Sequence, residues 1–138
     1  MSAAPVDTAA VAALVDRYAL AWSEPDPARR RALLAEVLTP GASYIDPRVH
    51  ADTPGALALY IDRVLAQRPG ARVLRTSGVD VHHGMARFAW HVVQADGSTL
   101  PEGIDVVWLS ADGTRLERIV GFFGPLPRPA DADTARKP

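Results

Sequence analysis

Apolar residues recur every three to four positions through the first half of the chain and alternate through the second. Val11, Leu14, Val15, Tyr18 and Trp22 make one stripe at helical spacing, capped by Asp7 or Thr8 and closed before Pro25. Asp26 as N-cap, with Pro27 at the first helical position, opens a second helix, and Leu33, Leu34, Val37 and Leu38 face inward until Pro40-Gly41 stops it. The basic run Arg29-Arg30-Arg31 falls on its polar, solvated side. Ala42 to Ile45 reads as a short strand stopped at Asp46-Pro47, because proline removes a ladder donor and pushes its predecessor toward extended geometry. Thr53 and Pro54 repeat the cap-plus-proline device for a third helix with Leu57, Tyr60, Ile61, Val64 and Leu65 as its apolar set, ending at Pro69-Gly70.

From Arg72 onward the period is two. Glycine turns divide the chain into four long strands, one through Val81, then Met85 to Ala95, Ser98 to Ser110 and Thr114 to Phe123, an antiparallel meander. Asp96-Gly97 and Asp112-Gly113 are two-residue hairpin signals, because both central positions of a type I′ turn need positive φ. Taken literally, these turns set Asp105 opposite Phe88 on one neighbour and Val120 on the other. Phe88, Trp90, Val107, Leu109 and Phe122 then share its face, and Arg118 joins them. The opposite face carries Arg87, Ala89, His91, Ile104, Val106, Trp108 and Ile119, a mixed surface suited to packing against a second copy, so a homodimer through the outer face of the sheet is expected.

Helices first and a meander second predict an α+β fold: three N-terminal helices on one side of a strongly curved, mostly antiparallel sheet whose concave side forms a pocket. Residues 1–7 read as a flexible N-terminus, 8–124 as a single domain, and 125–138, which open with Pro125-Leu126-Pro127-Arg128-Pro129, as a disordered proline-rich tail.

The 138 residues suffice for one domain and one site. A net charge of −1 supplies no global attraction to phosphate polymers, so nucleic acid is not an expected partner. The absence of cysteine removes disulfides, thiolate metal sites and a cysteine nucleophile. The start of the chain lacks a basic n-region and carries Asp7 where an apolar run would be needed; no stretch spans a bilayer, and a cytoplasmic protein is expected. No glycine-rich phosphate loop, nucleophile elbow or dinucleotide fingerprint is present, which leaves a site without cofactor. His82 and His83 resemble a metal pair, yet adjacent strand residues point to opposite faces, so no metal site is expected. One of them, or His50 before the third helix, remains a candidate to titrate in the pocket.

The order of elements and the residues at their ends resemble the nuclear-transport-factor-2-like superfamily, in its SnoaL-like polyketide-cyclase and ketosteroid-isomerase branch. The resemblance covers about residues 8 to 124 and rests on Arg17-Tyr18, Tyr44-Ile45-Asp46-Pro47, Thr53 to Tyr60, Gly103-Ile104-Asp105 and Gly121-Phe122-Phe123-Gly124. It implies a cystatin-like cone and a pocket for a small hydrophobic molecule. By resemblance to ketosteroid isomerase, Asp46 matches the general base, Tyr18 the oxyanion-hole tyrosine and Asp105 the oxyanion-hole aspartic acid. Tyr60 matches a tyrosine hydrogen-bonded to the first one.

Proton abstraction beside a carbonyl needs a base near the C–H bond and donors where enolate charge develops, and Asp46, Tyr18 and Asp105 could supply them. Tyr60, Phe88, Trp90, Val107, Phe122 and Trp22 would wall the substrate. Asp105 lies mid-strand between Ile104 and Val106, where an ionised carboxylate is expensive. It is either a neutral donor or the partner of Arg75, Arg87 or Arg118. Asp46 suits a rim base and an Asx turn equally. Tyr18 lies on the apolar stripe, so its hydroxyl needs a partner in the core or a role in the cavity. The leading expectation is a cofactor-independent isomerase or cyclase acting by proton transfer on a hydrophobic cyclic ketone. The alternatives are an epoxide hydrolase of the limonene type, built on Asp105 and a nearby arginine, and a non-catalytic ligand-binding or dimerisation module.

Overall fold

The structure, a computed structural model, describes residues 7–132. Helices α1 (Thr8–Ala21) and α2 (Pro27–Val37) open the chain, and α3 (Pro54–Gln67) follows the first two strands. Each begins as its sequence directs, with the side chains of Asp7, Asp26 and Thr53 accepting from the amides of Ala9, Arg29 and Ala56. The strands are β1 (Leu38–Asp46), β2 (Val49–Ala51), β3 (Arg72–Arg75), β4 (Asp80–His82), β5 (Met85–Val93), β6 (Gly103–Leu109) and β7 (Leu116–Phe123). They form one curved sheet of order β2-β1-β7-β6-β5-β3, with β4 also paired to β5. Only β1 and β7 run parallel; every other pair is antiparallel. The fold is the α+β cone anticipated from the pattern. No helix among the described residues is long and apolar enough to cross a membrane.

The core lies between the helices and the concave face. Val11, Leu14 and Val15 of α1, Leu34 and Val37 of α2, and Leu57 and Ile61 of α3 meet Ala86, Val107, Leu116 and Ile119 from the sheet. Full burial of a leucine or isoleucine there contributes about 2 kcal/mol.

Several local expectations are corrected. The second helix ends at Val37, and Leu38 opens β1, which runs straight through Pro40-Gly41 because its register with β7 breaks between Leu38 and Ser43, where no ladder donor is missed. The strand expected through Val81 is two strands. Between them Ser77 turns its hydroxyl to accept from the amide of Ala89 at 2.8 Å. His83 and Gly84, at φ 48° and 75°, form the tight turn from β4 to β5. Arg30 is not on a solvated side: it is 2% exposed, donates to the Glu24 carbonyl and is ion-paired with Asp62, tying α2 to α3.

The meander register holds on one side of Asp105 and slips on the other. Phe88 lies opposite it as expected, because two departures cancel: the Asp96-Gly97 hairpin loop is one residue longer, closing between Gln94 and Ser98, and an extra residue in the Pro101-Glu102 segment of the other strand restores the register. At the next hairpin Leu109 pairs with Leu116 but Trp108 with Arg118, so Glu117 is an extra residue. Asp105 therefore faces Gly121 instead of Val120, Phe122 and Arg118 turn outward, and Ile119 turns into the core. In the segment expected to be a disordered tail, Pro129–Ala132 form a one-turn helix, α4. Residues 1–6 and 133–138, to which the remaining expectations of a flexible N-terminus and a disordered tail refer, lie outside the described residues.

Candidate functional site

A cavity of about 440 Å³ opens between the helices and the concave face of the sheet. Helix α1 supplies Tyr18 and, one turn on, Trp22; α3 supplies Tyr60; β1 supplies Tyr44 and Asp46; β5 and β6 supply Phe88, Trp90 and Asp105. The two acids and the phenol singled out in the sequence thus line one hollow. Gly121 brings the two acids and Tyr44 together. A Cβ on it would lie 2.9 Å from Oδ1 of Asp105, 3.5 Å from Cβ of Asp46 and 3.7 Å from the Tyr44 hydroxyl, so the missing side chain is the space in which these groups approach.

Asp105 is 5% exposed, and its one side-chain hydrogen bond among the described residues comes from the Trp90 indole, Nε1 to Oδ1 at 2.8 Å. That indole can lie flat because its strand partner is Gly103, where a Cβ would come within 2.4 Å of the ring. Burial pushes the Asp105 carboxyl up to about 7, with the charge of Asp46 adding to the rise and the Trp90 donation opposing it. The arginine pairings that would have ionised it are absent: Arg75 binds Asp16, Arg87 binds Asp80, and Arg118 lies on the outer face over the Trp108 ring. The epoxide-hydrolase alternative loses these three arginines as partners of Asp105 by the same observation.

Asp46 is both a turn residue and a cavity residue. Oδ1 accepts from the amides of Arg48 and Val49, and Oδ2 accepts from the Tyr44 hydroxyl at 2.7 Å. Oδ1 is thereby saturated, while Oδ2 keeps a lone pair on the cavity side. The Tyr18 hydroxyl accepts from Nε1 of Trp22 at 2.8 Å, and its own proton has no acceptor among the described residues. Burial first, then the negative charge of Asp105, holds this phenol protonated, well above its ordinary range. Trp22, Tyr44 and Tyr60 pack as an aromatic trio with centroids 5.6 to 6.2 Å apart. Tyr60 makes no hydrogen bond to Tyr18, contrary to the expectation from resemblance; Trp22 holds that position.

Among the expected wall residues, Trp22, Tyr60, Phe88 and Trp90 line the cavity. Val107 does not, being fully buried in the core beneath it, and Phe122 does not, being 59% exposed on the outer face. Phe123 replaces Phe122, edge-on to Trp90 at 6.0 Å. No histidine enters: His50 pairs with Asp52, His82 and His83 contact each other at the β4–β5 turn, and His91 is on β5 away from the lining. Among the described residues no three acidic or histidine side chains cluster as a metal site would require. Sequence reasoning missed Tyr44, whose place two residues before Asp46 on one strand face was a readable signal, and Arg48, Arg68 and Phe123.

A helix-backed curved sheet around an apolar cavity with acids at its floor defines a cystatin-like, nuclear-transport-factor-2-like domain. The chain has the fold of that superfamily and is similar to solved structures of SnoaL-like proteins. It is 29% identical to a SnoaL-like protein from Agrobacterium tumefaciens for which an isomerase role is suggested, covering 85% of this chain and 99% of that one with a TM-score of 0.78. The fold is shared with a SnoaL-like protein from a Jannaschia species, for which a polyketide cyclase role is suggested (16% identity, 88% of this chain and 90% of that one, TM-score 0.67). A nuclear-transport-factor-2-like protein of Salmonella enterica also shares it (18% identity, 90% and 95%, TM-score 0.66). No family sequence profile matches the chain, and no curated protein does.

Proposed function

We propose that the protein is a cofactor-independent isomerase or cyclase that moves a proton on a hydrophobic cyclic ketone. Asp46 Oδ2 takes a proton from the carbon beside the carbonyl, and the C–H electron pair becomes the double bond of an enol or enolate. The free Tyr18 proton and the Asp105 proton hydrogen-bond the oxygen on which charge develops. Return of the proton from Asp46 to a different carbon completes an isomerisation; attack of the enolate carbon on a second carbonyl of the same molecule opens that C=O bond to an alkoxide, which takes the proton back from Asp46 and completes a cyclisation. Neither consumes an oxidant or a second reactant.

The observation that carries this reading is the packing of Asp105, Asp46 and Tyr44 around the bare Cα of Gly121, with the unspent Tyr18 proton in the same cavity. The test is isomerisation of a β,γ-unsaturated cyclic ketone by wild type and Asp46→Asn. A loss on the order of 100-fold or more is expected from removal of a general base. Equal rates remove Asp46 from the chemistry; no turnover by wild type, combined with thermal stabilisation by the same ketone, leaves a binding module without catalysis.

A further inference from the structure

The cavity lining is chemically mixed. Besides the two acids, Tyr18 and the aromatic rings it includes Arg48, Arg68 and Arg75. Arg75 is neutralised by Asp16 through two contacts, at 2.8 and 2.9 Å. The other two are not. Arg48, exposed and fixed at its amide by Asp46, lies 5.8 Å over the Phe123 ring, and its side chain forms no ion pair or hydrogen bond among the described residues. Arg68, half-buried, spends one N–H on the neutral amide of Gln94 at 2.8 Å and keeps an uncompensated charge. Arg48 is also near Tyr60: burial and the Asp46 charge raise that hydroxyl, and the Arg48 charge pulls against them. A cavity built only for a neutral ring has no use for two unpaired guanidinium groups in its lining, whereas an anionic substituent would receive charge-assisted, two-pronged hydrogen bonds from either.

We propose that the natural substrate is amphiphilic, a ring ketone carrying a carboxylate, with the guanidinium groups of Arg48 and Arg68 available in the lining to hold it. This deepens the proton-transfer reading and supplies orientation: hydrophobic walls alone accept a flat ring either way round, and an anchored carboxylate selects the pose that presents the carbonyl to Tyr18 and Asp105.

Calorimetric titration with 2-naphthol and with 6-hydroxy-2-naphthoate, a matched pair of enolate mimics differing by one carboxylate, tests the subsite without requiring turnover. The naphthoate is expected to bind about tenfold tighter or more at low salt, with the advantage shrinking as salt rises. In Arg48→Gln/Arg68→Gln that advantage disappears while 2-naphthol affinity, which also reports an intact cavity, stays at the wild-type value. Equal affinities in wild type, an advantage that survives in the double variant, or failure of both ligands to bind overturns the proposal. Loss of ketone isomerisation with the naphthoate preference intact would instead refute the proton-transfer reading and leave the subsite standing.

Discussion

Asp105 is a carboxyl group removed from water with one indole N–H as its partner among the described residues, and that imbalance has consequences beyond any reaction. Its folded value of about 7 stands above the ordinary 3.8, so between those pH values the native chain holds a proton that the unfolded chain has released. Stability therefore falls as pH rises from about 4 to 7, by roughly 4 kcal/mol at about 1.4 kcal/mol per pKa unit, and this loss is complete above 7. Denaturant midpoints at pH 5 and pH 8 should show a fall in wild type that is flattened in Asp105→Asn, with the variant the more stable protein at pH 8; identical pH dependence in the two would mean that Asp105 does not titrate there. Phenol affinity follows the same proton. It should weaken above pH 7 in wild type, as the donor form is lost, and stay level in Asp105→Asn, whose amide donates at every pH. Gly121→Ala gives a third check at this scale: its methyl group would come to about the 2.9 Å separation from Asp105 Oδ1, so ligand affinity should drop at least tenfold with little change in the far-ultraviolet dichroism. Asp46, Tyr18 and Asp105 could be picked out of the sequence because their residue types stand in unusual company, an acid mid-strand among aliphatics and a tyrosine on an apolar stripe. Arg48 could not, since its significance depends on which cavity its turn overlooks.

At the scale of elements, the three helices were legible because cap, proline and stripe agreed, and the structure starts each at Thr8, Pro27 and Pro54. The sheet was legible in period but not fully in register. One extra residue, Glu117, exchanges the faces of Phe122 and Phe123 and moves Arg118 out of the cavity, and no local preference marks that bulge. The interior position of Arg30 was hidden for a similar reason: a triplet of arginines looks solvated until a neighbouring helix brings Asp62 over it. Burial pushes the Asp62 carboxyl up, but its bonds to Arg31 and Arg30 outweigh that and hold it below the usual range. Arg30→Ala removes a buried guanidinium that joins the Glu24 carbonyl to α3 and should cost about 2 to 4 kcal/mol in denaturant unfolding. Arg31→Ala, on the exposed neighbour, should cost less than 1 kcal/mol. Similar losses for both would contradict the clamp.

Across the whole molecule, the sheet has two faces with different duties. The concave face meets the helices and encloses the cavity. The outer face presents Ile104 and Phe122, 41% and 59% exposed, together with Val106 and Trp108. We expect a homodimer through it: light scattering should give twice the chain mass, and Phe122→Asp should shift the protein toward monomer while leaving the cavity on the other side intact. A wild type that remains monomeric at high concentration would refute that expectation. The proposed proton transfer needs no second copy. It needs a proton shared between the fold and the site, because only a neutral Asp105 can donate to an enolate oxygen. Carbon-detected magnetic resonance of the Asp105 carboxyl across pH tests this most directly, with Asp105→Asn to assign the signal. A midpoint near 7 is predicted; a midpoint near 4, where an ordinary solvated aspartate titrates, would contradict it.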